Sequence, residues 1–153
     1  MAPPPLYRVP PLTCAGATAA SGPITVSASF PASLSVGDVV AIVADRVGSV
    51  YQVDRADPRD LANLMPAVGV LSAKTTTTTG TVTLLGEVTG LSGLTPGAPL
   101  WVSLAGVLIS GSNAGVTPVS EGSRVGVQSM GTALASDVAL IVPQLPNIRR
   151  YTP

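Results

Sequence analysis

The chain has 153 residues, of which 46% are hydrophobic, 10% charged and only 3% aromatic, and its eight basic and eight acidic groups cancel. Neutrality excludes the electrostatic footprint of a nucleic-acid or anionic-membrane binder, and the length fits one domain with extensions. Average soluble domains carry about 25% charged residues, so part of this apolar surplus is expected to face another subunit. The longest fully apolar run, Val39 to Ala44, is far short of the roughly 18–20 residues that span a bilayer. The start, MAPPPLYRVPPL, has neither a basic n-region nor an unbroken apolar h-region, so a secretory signal is not expected.

Residues 1–23 form the first segment. Pro3, Pro4, Pro5, Pro10 and Pro11 block helix and central-strand pairing and favour extended polyproline II. Ala15 to Gly22 is built of small residues and reads as a flexible spacer; fully extended, the arm reaches on the order of 70 Å. Leu6, Tyr7, Val9 and Leu12 are unusual for a plain linker. They point to an arm that orders on a neighbouring subunit, against the plainer alternative of a disordered terminus.

The body is expected over residues 24–142. Ile24 to Phe30 alternates strictly and predicts a half-buried strand. Gly37 to Val47 is a longer β-rich run, and Val50 to Val53 a short one after the Gly48-Ser49 turn. Asp57-Pro58 offers an N-cap and a proline at the first helical position, enough for a single helical turn at most. Strands are then expected over 67–73 and 81–86, on either side of the threonine run 75–79, which reads as an edge strand or a loop.

Thr95-Pro96-Gly97-Ala98 has type II turn chemistry, with proline presetting φ at the second position and glycine accepting positive φ at the third. Strands follow over 99–104 and 107–110, reversed by Ala105-Gly106, and then over 124–130 and 138–142. Many short strands separated by Gly, Pro and Ser predict an all-β fold: a single β-sandwich or barrel-like domain with proline-rich arms at both ends. Residues 143–153, PQLPNIRRYTP, make the C-terminal arm and carry Ile148 and Tyr151.

Candidate chemistry is sparse. The absence of histidine removes the commonest general base, the Ser-His-Asp arrangement and most zinc sites. A Ser-Lys mechanism would need Lys74, which stands beside the solvated threonine run. Cys14 is the sole cysteine, so no intrachain disulfide forms, and nothing around it lowers its thiol pKa. Asp54, Asp57 and Asp60 are spaced by three and offer oxygen ligands of the kind Ca²⁺ takes. Arg55 and Arg59 are interleaved with them, which favours a salt-bridged loop over a metal site. Glu87 has no partner carboxylate that the sequence can name. Trp101, the only tryptophan, lies on an alternating strand and reads as core or interface packing. Gly111 to Gly115 lacks the GK[ST] of a phosphate loop. No catalytic, cofactor-binding or metal-binding residue is therefore assigned, and the chain reads as a non-enzyme.

The order of several short motifs resembles a known module. Pro66-Ala67-Val68-Gly69-Val70 leads to Gly86-Glu87-Val88, then to Gly93-Leu94-Thr95-Pro96-Gly97 and Leu100-Trp101-Val102-Ser103. Val125-Gly126-Val127-Gln128, Gly131-Thr132-Ala133-Leu134 and Val138 to Val142 complete it. This is similar to a β-rich module of tailed-bacteriophage virion proteins, especially the small capsid decoration (cement) proteins and some tail or fibre proteins. The resemblance covers roughly residues 37–142, strongest from 66 onward, and leaves out the N-terminal arm. It implies a homotrimer on the exterior of the mature capsid, with the major capsid protein and its own copies as partners. It implies no cofactor, nucleic acid or membrane. The alternative is a tail- or fibre-associated protein with a receptor-binding role, against which the scarcity of aromatic residues counts. The arm residues expected to meet capsid or neighbour are Leu6, Tyr7, Val9, Leu12, Ile148 and Tyr151.

Overall fold

The short apolar runs separated by turn residues become eleven strands, with no helix among the described residues, and the protein is all-β. A computed structural model describes residues 22–111 and 124–150. The strands are β1 (Ile24–Ser29), β2 (Val39–Val47), β3 (Val50–Arg55), β4 (Ala67–Lys74), β5 (Thr79–Val88) and β6 (Pro99–Val102). They continue as β7 (Leu108–Ser110), β8 (Arg124–Val127), β9 (Ser129–Ala133), β10 (Ala139–Ile141) and β11 (Asn147–Arg150).

Nine strands hydrogen-bond in the order β1-β3-β2-β4-β5-β10-β9-β6-β7, and β1 also pairs with β5. That extra pairing closes the first five strands into a small barrel. The last residues of β5, Gly86 to Val88, leave this barrel and pair with β10. The chain then returns through β9, β6 and β7 to a bridge between Val107 and Asp38. There the Val39 N–H donates to the Gly106 carbonyl at 2.8 Å. A second ring of strands thus shares the β2-β4-β5 wall with the first.

The shared wall explains why β2 and β4 do not alternate. Strands buried on both faces read as continuous apolar runs, and Val39, Val40, Ala41, Val70 and Leu71 are all buried. Val40, Leu71 and Val82 pack with Ala28, Phe30, Leu34 and Val53 inside the first barrel. Val39, Ala41 and Val70 face the other way, against Leu100, Val102, Met130, Ala139 and Ile141. Between β2 and β4 the register shifts, so that Val40 opposes Gly69 and Ala41 opposes Ala67. Val68 is the extra residue of this bulge, which turns its side chain toward the first core.

Two features permit β5 to serve both rings. Gly86 has φ +113°, and a Cβ there would lie 2.7 Å from the Pro23 Cα, so both conformation and space require glycine. At the same fork β4 pairs with β5 only from Val70 onward, which leaves Ala67 without a β5 neighbour. Gln128, 1% exposed, supplies the missing rung. Its Nε2 donates to the Ala67 carbonyl at 2.7 Å, and its Oε1 accepts from the Ala67 N–H at 2.8 Å.

The turn at Thr95–Ala98 forms as its sequence predicts, with Ala98 N–H donating to the Thr95 carbonyl at 3.0 Å and Gly97 at φ +79°. The Gly97 N–H then reaches the Ala133 carbonyl at 2.8 Å, tying the turn to β9. Over 57–64 one helical hydrogen bond forms, from Leu64 N–H to the Asp60 carbonyl. The threonine run is the loop of the β4–β5 hairpin, where Thr76 Oγ1 accepts from the N–H groups of Thr78 and Thr79. The strand expected over 124–130 is broken at Gln128 into β8 and β9. Part of the C-terminal segment is itself a strand: β11 pairs antiparallel with β8 as a separate two-stranded ribbon. Val125 and Val127 of that ribbon pack on Trp101, Leu104 and Ile109.

Replacing Gln128 with Leu keeps much of the volume but leaves two buried backbone groups of Ala67 unpaired. We expect Gln128→Leu to lower stability by about 2–4 kcal/mol, read as a shifted urea midpoint at unchanged slope. A loss below about 0.5 kcal/mol, within the range of ordinary surface changes, would contradict this role.

Candidate functional site

The first barrel is closed at one end and open at the other. At the end where β1 leaves the barrel, Phe30 and Leu34 are buried against the core. The Phe30 N–H donates to the Thr78 carbonyl at 2.9 Å. Lys74 Nζ lies 5.4 Å from the Phe30 ring centroid and donates to the Leu34 carbonyl at 2.6 Å. The lysine that a Ser-Lys mechanism would require is thus engaged in holding this cap.

At the opposite end no residue among those described takes the place of Phe30. Val26, Ile42, Tyr51, Val68 and Leu84 border an apolar hollow of about 280 Å³. A second, shallower hollow of about 430 Å³ adjoins it through Val68 and Leu84 and runs on past Leu85, Pro143 and Leu145. Ile42 is 45% exposed, Leu85 42% and Leu145 84%. The lining contains no charged side chain. Apart from the Tyr51 phenol and the amides of Gln128 and Gln144, what the lining offers is apolar contact. Fully burying one side chain of this size contributes about 1.5–3 kcal/mol.

The acidic loop is a hydrogen-bonded structure. Arg59 grips Asp57 with two parallel bonds, Nε to Oδ1 and Nη2 to Oδ2, each 2.8 Å. The Arg59 N–H also donates to Asp57 Oδ1 at 2.9 Å. The side-chain hydrogen bonds from Arg59 hold the Asp57 carboxyl below its ordinary value, partly opposed by burial, and the same pairing raises Arg59. Asp60 accepts from the N–H and side-chain amide of Asn63. Asp54 accepts from the Arg55 N–H. Among the described residues no three His, Cys, Asp or Glu side chains are grouped to hold a metal ion.

Asp38 is the buried carboxylate, 5% exposed. It accepts from Arg55 Nε and Nη2 and from the Ser35 N–H, and it stands at the bridge that closes the second ring. Trp101 is half-buried and donates its indole N–H to the Gly111 carbonyl at 2.9 Å. It packs in the small cluster beneath β8, which is a structural use. Glu87 is exposed on β5, in register with Leu140 of β10.

Of the apolar residues expected to meet a neighbour, Ile148 lies on β11 opposite Gly126 and is 59% exposed. Leu6, Tyr7, Val9, Leu12, Cys14 and Tyr151 lie outside the described residues. Ile42, Leu84, Leu85 and Leu145, which form the open end, were not singled out by the sequence. Ile42 falls in a continuous apolar run and Leu84-Leu85 in a strand, and neither pattern tells which end of a barrel is left uncapped. Comparison with family models, with curated proteins and with solved structures finds no match.

The Asp57–Arg59 pair gives a pH dependence of known sign. A carboxylate whose folded pKa is depressed stabilises the fold above its unfolded pKa, and that contribution is lost as pH falls through the folded value. The stability gap between the parent protein and Asp57→Asn is expected to stay constant near neutrality. It should narrow on acidification below about pH 4, the ordinary aspartate range. Thermal denaturation at stepped pH tests this, and a gap that widens with acidification would be inconsistent with it.

Proposed function

We propose that this chain is a structural virion protein that binds the exterior of a mature phage capsid as a homotrimeric decoration protein, with no catalytic role. The observation that carries the reading is the apolar end of the first barrel that the described residues leave uncapped, on a chain with only 10% charged residues. Exposed apolar surface of this kind marks an interaction site. The motif order that resembles the decoration module supports the same conclusion. In this reading a compact all-β body (residues 24–142) carries an N-terminal arm (1–23) and a C-terminal tail (143–153). Leu6, Tyr7, Val9, Leu12, Ile148 and Tyr151 contribute contacts to capsid or sister subunits.

The physical task requires no reactive group. A cement that binds only the expanded shell stabilises that shell by mass action. In a trimer, one docked subunit holds the other two at high effective concentration, so contacts of modest strength accumulate.

Co-sedimentation with expanded, undecorated phage heads tests the proposal, with bound copies counted per major-capsid subunit. Saturation at a fixed ratio that fits trimers is the expected result. Absence of binding by folded protein overturns it and turns attention to a tail or receptor role. Deleting residues 2–12 is expected to leave a folded body that binds heads at least about tenfold more weakly. This corresponds to the loss of one buried apolar side chain or more.

A further inference from the structure

We propose that the free edge running from Pro143 through β11 is a strand-addition site for an extended segment of a partner protein, acidic at one end and apolar at the other. The site arises where β5 leaves β10. β5 accompanies β10 only from Gly86 to Val88, opposite Ile141 to Ala139. Beyond Ile141 the chain stays bonded on its other side. There Val142 N–H donates to the Met130 carbonyl at 2.8 Å and Gln144 N–H to the Ser129 carbonyl at 3.0 Å, and β11 continues along β8. On the side that β5 has left, no strand among the described residues pairs with this stretch.

The backbone of β11 is set for a further strand. Ile148 lies opposite Gly126, whose N–H is turned away to the Pro58 carbonyl at 2.7 Å. In an antiparallel ladder such a pair is one that exchanges no hydrogen bonds. The N–H and carbonyl of Ile148 therefore point away from β8, as do those of Arg150 two residues on. All four residues of β11 are exposed. An open edge of this kind is a template for main-chain pairing.

The side chains specify which strand fits. Arg150 stands directly opposite Arg124, with Arg149 next to it. Like charges directly opposed across a ladder are unfavourable. The ion pairs among the described residues, Arg55–Asp38 and Arg59–Asp57, involve none of these three. Carboxylates opposite Arg149 and Arg150 make charge-assisted hydrogen bonds with the guanidinium groups. At the other end Pro143 and Leu145, with Leu84 and Leu85, line the hollow of about 430 Å³, whose lining has no charge. Leu145 is 84% exposed. Pro143 and Pro146 offer no N–H, so affinity there comes from apolar side chains. Running antiparallel to its neighbour, as β10 and β11 do to theirs, the occupant carries its acidic residues N-terminal to its apolar ones. About eight residues at about 3.4 Å each cover the edge. Such pairing is independent of the virion reading.

The probe is the peptide acetyl-Thr-Glu-Glu-Val-Thr-Val-Val-Thr-amide, titrated into the ¹⁵N-labelled full chain. The expected result is saturable shifts of the Ile148 and Arg150 amide resonances, with hydrogen exchange at Ile148 about tenfold slower once the peptide is nine-tenths bound. Lysines in place of the glutamates should weaken binding by at least about tenfold. Ile148→Pro removes an outward donor only, so it should abolish the shifts while Val125 and Val127 keep their exchange protection. If that variant loses the ladder, the exchange at Ile148 in the parent still decides. Absence of saturable shifts below about 1 mM peptide overturns the proposal. An Ile148 amide already protected in the free protein also overturns it, because the edge is then filled. Equal binding of the lysine peptide overturns the assigned chemistry, and shifts at Leu84 and Leu85 without slowing at Ile148 overturn strand addition.

Discussion

Where Val39–Ala41 of β2 meets Val70 and Leu71 of β4, the wall shared by the two rings has no solvent face, and the rest of the molecule follows from that constraint. Each of its faces closes a separate core, so these strands carry Val39, Val40, Ala41, Val70 and Leu71 as unbroken apolar sequence. Two rings cannot share a wall unless one strand leaves the first and joins the second. β5 does so at Gly86, where the backbone turns through positive φ against Pro23. The departure exposes the backbone of Ala67 in the interior, and the amide of Gln128 satisfies it. The break between β8 and β9 falls at that residue. A strand interruption, a buried glutamine and a glycine are thus three consequences of one branching point.

Closure of the second ring depends on a charge. Asp38 is almost fully buried and is held by Arg55, which also donates to the Ser33 carbonyl. Burying a carboxylate is unfavourable unless it is paired and hydrogen-bonded, and here the Ser35 N–H and the guanidinium together supply that. The pair fixes the start of β2 where it meets Val107. An apolar contact would leave the two elements free to slide, whereas the fork geometry of arginine sets a register.

How much of this was legible in the sequence differs by scale. The turn at Thr95–Ala98 follows from residue chemistry alone, because proline and glycine at its centre admit few backbone conformations. The strand at Ile24–Ser29 follows from period-two alternation. Gln128 was not legible, since a lone glutamine within a run read as one strand over 124–130 looks like any polar strand position until its backbone partner, 61 positions away, is known. The β1–β5 pairing was equally hidden, because long-range closure leaves no local pattern. For the same reason Ile42 and Leu84 read as interior positions. Which end of a barrel is capped depends on the loop that crosses it, and β1 happens to run into Phe30 and Leu34 at one end only.

That asymmetry connects the fold to the functional reading. At the capped end the aromatic ring and Leu34 come from the β1–β2 connection, and Lys74 ties the cap to the β4–β5 hairpin. The opposite end is bordered by the first residues of β1 and the last of the barrel portion of β5, with the stretch after β10 alongside. The chain outside the body is attached there: residues 1–21 precede Gly22, and Leu145 lies on the path from β10 to β11. The described chain thus enters the body at Pro23 and leaves β10 through Leu145 beside this apolar surface, so any contact made there lies next to the segments that lead away from the body.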